Sequence, residues 1–112
     1  MIMIEAVIKP FVLDRVREAL GQLGVGRLTE YSVSHFGADS AHREIYRGAE
    51  YVVESVPRIK LDLVVEDTME DRVVSAIVRA AKTSQGSDGS IFVMPVSKAI
   101  PIGNGQPLNR AV

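Results

Sequence analysis

At 112 residues, 46% of them apolar, with a formal net charge of −1, the chain is sized for one domain with a real core. Lysine and arginine are spread evenly, which argues against the basic stripe of a nucleic-acid-binding surface. No apolar run approaches the ~20 residues that span a bilayer, and the lack of cysteine excludes disulfides, thiolate metal sites and cysteine nucleophiles.

In chain order, residues 2–8 are β-rich and Pro10 stops the strand, because proline cannot donate to a ladder. The start of the chain lacks the basic region and cleavage site of a signal peptide, so a cytoplasmic protein is expected. Leu13, Val16, Leu20 and Leu23 recur at helical spacing and predict a helix over residues 13–23. Gly24 and Gly26 end it, and a strand is predicted over residues 27–36. The second half repeats the plan. Residues 59–65 predict a strand, and Glu66-Asp67-Thr68 offers N-caps. Met69, Val73, Ile77 and Ala80 form a helical stripe. Residues 83–90 are turn-rich, and Ile91-Phe92-Val93-Met94 makes a last strand ended by Pro95. Residues 101–112 are expected to be a tail that is irregular unless a neighbour orders it.

The order β-α-β, long loop, β-α-β predicts an α+β, ferredoxin-like split β-α-β fold with both helices on one sheet face. Strand residues of both parities are apolar: Ile2 and Ile4 against Met3 and Val7, Leu61 and Leu63 against Val64. A sheet apolar on both faces is expected to be covered on the second by another copy of the chain.

Residues 37–58 form a connection of 22 residues where about 2–6 is usual, and long connections in small domains are functional or disordered. They contain Tyr46-Arg47-Gly48-Ala49-Glu50-Tyr51. An aromatic tip offers large contact area at low entropic cost, so this run is the expected partner-docking element. Catalytic patterns are thin: there is no nucleophile elbow, no HExxH and no P-loop. His35 and His42, with Asp39 or Glu44, offer at most a weak metal site. Gly86-Ser87-Asp88-Gly89-Ser90 reads either as an anion-binding nest or as a plain turn whose glycines supply positive φ.

Over its whole length the chain resembles the PII signal-transduction proteins. The resemblance is carried by residues 4–11, Phe36-Gly37, residues 44–53 with their YRGAEY run, Pro57, residues 60–65, Asp88-Gly89 and residues 91–93. It implies a homotrimer of ferredoxin-like subunits, not an enzyme. It also implies ATP or ADP in clefts between subunits and a T-loop (residues 37–58) that docks into a membrane transporter, a regulated enzyme or a transcription factor. By resemblance the nucleotide-binding residues are Thr29, Phe36, Gly37, Arg58, Val64, Asp88 and Gly89, and Tyr51 is a possible uridylylation site. No nucleic-acid partner and no membrane insertion are implied. Arg58 stands where the family has lysine, keeping charge but not shape. Ala38, Asp39, Ser90, Pro101 and Gly103 replace an arginine, a glutamine, a lysine and two arginines. The resemblance therefore implies ATP or ADP at reduced affinity, with 2-oxoglutarate and Mg²⁺ not expected. An alternative is a divergent PII-like regulator of bicarbonate or metal uptake.

Overall fold

The computed structural model describes residues 1–36, 42–46, 49–53 and 55–111, with side chains for 1–36 and 55–111. Strand β1 (Ile2–Ile8) leads through a turn at Pro10–Val12 into helix α1 (Leu13–Gln22) and then β2 (Thr29–Phe36). Strands β3 (His42–Tyr46) and β4 (Ala49–Val53) pair with each other as a separate hairpin. They are followed by β5 (Ser55–Val65), α2 (Glu70–Ala81) and β6 (Gly89–Pro95). The four-stranded antiparallel sheet has the order β2-β5-β1-β6, which is the ferredoxin-like topology the element order predicts.

The helices cover one face. Along β1 the residues Ile2, Ile4, Ala6 and Ile8 are buried and alternate with half-buried neighbours. They meet Leu61, Leu63 and Val65 of β5, Val16 and Leu20 of α1, and Val73, Ile77 and Ala81 of α2. Period-2 burial in the strands against a 3.6-residue stripe in the helices is what makes this one core. Arg17 on α1 also grips Glu30 on β2 with a two-pronged pair, Nε to Oε1 and Nη2 to Oε2, each 2.5 Å.

Two elements differ from the sequence reading. Strand β5 begins at Ser55, inside the segment expected to be loop, and pairs with β2 from Phe36↔Ser55 onward. Pro57 is tolerated there because the β1 ladder begins only at Ile59, which leaves β5 with a single neighbour at the proline. The other difference is on the open face, which is not uniformly apolar. The register aligns Met3, Glu5 and Val7 with Val64, Asp62 and Lys60, with Tyr31 and Thr29 beyond, and with Met94, Phe92 and Ser90 on the other side. Phe92 (51% exposed), Tyr31 (41%) and Met94 (37%) are uncovered. Between them lies a charged row: Lys60 Nζ is 2.9 Å from Glu5 Oε1, 3.8 Å from Asp62 Oδ2, and 4.6 Å from the Tyr31 ring centroid. The hydrogen bond to Glu5, with the charges of Asp62 and Glu5, raises the Lys60 pKa above its ordinary value. Apolar parity at Met3, Val7 and Val64 hid these charges, which occupy the same row.

The tail has no regular helix or strand, as expected, but it is tied down by hydrogen bonds. Leu108 N–H donates to Ala99 O (2.7 Å) and Gly105 N–H to Pro101 O (2.9 Å). Ala111 N–H donates to Glu66 Oε1 (2.6 Å).

Candidate functional site

The residues assigned to a nucleotide site divide between the two ends of the sheet. Phe36 closes β2 and is 68% exposed. Arg58 sits opposite Val33, half-buried, its Nη1 donating to Pro57 O at 2.9 Å. Asp88 and Gly89 open β6, where Gly89 faces Ile8, the same residue that faces Ile59 of β5. These four share one end. Thr29, opposite Asp62, and Val64, opposite Met3, lie at the other. Seven strand steps separate Thr29 from Phe36, about 23 Å at ~3.3 Å per residue. Gly37, Arg47 and Gly48 fall outside the described residues. Tyr46, Ala49, Glu50 and Tyr51 are described as hairpin backbone only, with Tyr46 paired to Ala49 and Tyr51 to Glu44.

The turn before β6 is built around a carboxylate. Asp88 accepts the Thr83 N–H through Oδ2 at 2.9 Å and the Thr83 hydroxyl through Oδ1. Lys9 lies 3.4 Å from Oδ1 and donates to Gly86 O at 2.8 Å. Positive φ at Gly86 (76°), Ser87 (52°) and Gly89 (119°) folds the chain back onto this carboxylate. Asp88 is thus saturated from within, and its role is to hold the turn that starts β6. A cavity of about 320 Å³ lies alongside, between this strand and α2, lined by Ile8, Ile77, Val78, Lys82, Asp88 and Ser90 among others.

The Thr83 hydrogen bonds, with Lys9 beside them, hold the Asp88 carboxyl below its ordinary pKa. A carboxylate whose folded-state pKa is depressed stabilises the fold above its unfolded-state pKa, near ~3.9. That contribution is lost as pH falls through the folded value. Asp88→Asn is therefore expected to melt below the native protein at neutral pH, with the gap closing below about pH 4. Thermal melts across pH check it, and a gap constant with pH would mean the charge is immaterial.

His35 is exposed on β2. His42 is described only as backbone and Asp39 lies outside the described residues. Among the described residues no group of three or more histidine, aspartate and glutamate side chains is placed to hold a metal, and no helix is long and apolar enough to cross a membrane. Sequence reasoning missed the β3–β4 hairpin. Its signal was present, since Arg47-Gly48 is a two-residue, glycine-containing break between β-rich runs.

A split β-α-β sheet with a hairpin inserted between its second and third sheet strands defines a ferredoxin-like α+β protein. The family model described as "Nitrogen regulatory protein P-II" matches residues 1–106. The chain is 45% identical over 109 residues, 97% of each chain, to "Nitrogen regulatory protein P-II" of Azospirillum brasilense. It is 47% identical over 103 residues, 92% of each, to the protein of that name in Rhodospirillum rubrum. It is 44% identical over 109 residues, 97% of each, to "Nitrogen regulatory protein P-II 1" of Escherichia coli K12. The chain belongs to the P-II nitrogen regulatory protein family, whose members are regulators of partner proteins and not enzymes.

Proposed function

We propose that this chain acts as a cytoplasmic homotrimer that controls a protein partner, a membrane transporter or a regulated enzyme. Residues 37–58 dock that partner, and adenine nucleotide binds weakly between subunits. The observation that carries the reading is the division of the candidate site. Thr29 lies seven strand steps, about 23 Å, from Phe36, and Val64 six steps, about 20 Å, from Arg58, a spread that favours a ligand held between one end of a subunit and the opposite end of the next. The uncovered Tyr31, Phe92 and Met94 support a neighbour on the open face.

Weak binding follows from the replaced cations. Charge-assisted hydrogen bonds contribute about 1.5–3 kcal/mol each. Losing three lowers affinity by up to roughly 3–6 decades, less where the contacts are not additive. ADP and AMP, with fewer phosphates, lose less than ATP. Tyr51 is a candidate for uridylylation on the same docking segment.

Sedimentation and calorimetry on the native protein test the reading. A trimer at micromolar concentration is expected, with saturable heats for ADP or AMP only at high ligand. A monomer would sink the assembly, and silence from all three nucleotides at millimolar concentration would sink the ligand. A second reading, a regulator of bicarbonate or metal uptake, is favoured by the carboxylate at Asp39 in place of a neutral glutamine. Bicarbonate or a divalent metal raising the melting temperature while nucleotides do not would select it.

A further inference from the structure

The charged row on the open face is unfinished in the single chain. Glu5 lies on β1, and Lys60 and Asp62 on β5. These are the two central strands of the sheet, so the row runs down the middle of the face. The uncovered side chains flank it on the edge strands, Tyr31 on β2 and Phe92 and Met94 on β6. Protein interfaces usually have the reverse layout, an apolar centre within a polar rim. The row holds one ammonium, Lys60, and two carboxylates, Glu5 and Asp62, and so carries one net negative charge. The Asp62 side chain is only 17% exposed. Its Oδ1 is sealed from solvent and has no hydrogen-bond partner among the described residues. An acceptor shut away from water without a donor costs free energy, so a donor from outside the chain would complete the row.

Given the self-association proposed above, we infer that a second copy of the chain supplies that donor, and that the row selects a ring of copies over a two-fold pair. Pairing about a two-fold axis sets a patch against itself. Two rows face to face would bring four carboxylates to two ammonium groups, and like charges repel strongly in the low dielectric of an interface. In a ring, each copy offers one patch to a different patch of the next, so the row meets donors instead of its own image. Tyr31, Phe92 and Met94 then supply apolar contact area. The row fixes how the copies sit, as one polar position fixes register and copy number in an otherwise apolar coiled coil.

Sedimentation of native and variant proteins at equal concentrations tests this, and Asp62→Leu gives an effect whose sign decides. If nothing meets Oδ1, exchanging a buried unpaired carboxylate for leucine tightens association. If a second copy's donor meets it, that donor is stranded, and association is expected to weaken by about tenfold. Asp62→Asn keeps an oxygen for the donor and is expected to lose less. The triple variant Glu5→Leu, Lys60→Met, Asp62→Leu removes the row altogether. It is expected still to associate, through a face now apolar throughout, but as a mixture of copy numbers that includes dimers. The row lies outside the helix-side core, so far-ultraviolet spectra of all three variants should match the native one. Association of Asp62→Leu equal to or tighter than native, or a triple variant with the single copy number of the native protein, would overturn the inference while leaving the assembly standing. A monomeric native protein would overturn both.

Discussion

Gly89→Ala is expected to lose about 3 kcal/mol or more of folding stability, or to leave no folded protein in solution, read as a collapse of the urea midpoint. Gly89 has φ of +119°, a region that L side chains rarely enter and that costs of order 1–3 kcal/mol by itself. Sterics add to that. A Cβ there would lie 1.8 Å from the Val7 carbonyl oxygen and 2.9 Å from its carbon. The obstacle is the backbone of β1, which is paired on both sides, so it cannot move aside as a flexible side chain would. Gly26 and Gly103 supply the control. Neither has positive φ, and an added Cβ would meet nothing within 4 Å at either. Alanine at those positions is expected to be neutral or slightly stabilising. A Gly89→Ala protein with the native urea midpoint would contradict the turn geometry described for the start of β6.

Phe92→Asp is expected to abolish self-association while leaving the subunit folded. Phe92 is half-exposed on the open face, directly across from Glu5 on β1. A carboxylate there would face a like charge across the ladder. If a second copy covers this face, it would also be an unpaired charge taken out of water. Leaving a charge unpaired in a buried site costs roughly 3–5 kcal/mol, which is about 2–4 decades in the association constant. Because Phe92 lies outside the helix-side core, the far-ultraviolet spectrum should not change. Sedimentation of native and variant proteins at equal concentration reads the result, and a variant that assembles like the native protein would remove this face from the interface.

Much of the fold was legible in the chain. Helix α1 was marked by Leu13, Val16 and Leu20 and by the glycines after it, and α2 by its Met69, Val73, Ile77 and Ala80 stripe, because an apolar face repeating every 3.6 residues has few other uses. The start of β5 was not legible: Pro57 speaks locally against a strand and is permitted only because β1 stops short, which is a fact of tertiary register. The open face misled for a related reason. Parity shows which residues share a row but not that Glu5, Lys60 and Asp62 would come together in it. In the candidate site, the identity of Asp88 was visible while its saturation by Thr83 and Lys9 was not, since Lys9 lies 79 positions away in the sequence.

The early start of β5 has a mechanical consequence. From Val33↔Arg58 to Phe36↔Ser55 the two strands continue past the last β1 pairing as a two-stranded ribbon, about 10 Å long at ~3.3 Å per residue. Such a ribbon is a lever whose fulcrum lies at Ile8 and Ile59, beside the Asp88 turn. A tilt of about 5° at the fulcrum displaces the ribbon's far end by about 1 Å over that length. A tilt at the root would therefore move the ribbon's far end without any repacking of the helix-covered core, which lies on the other side of Ile8 and Ile59.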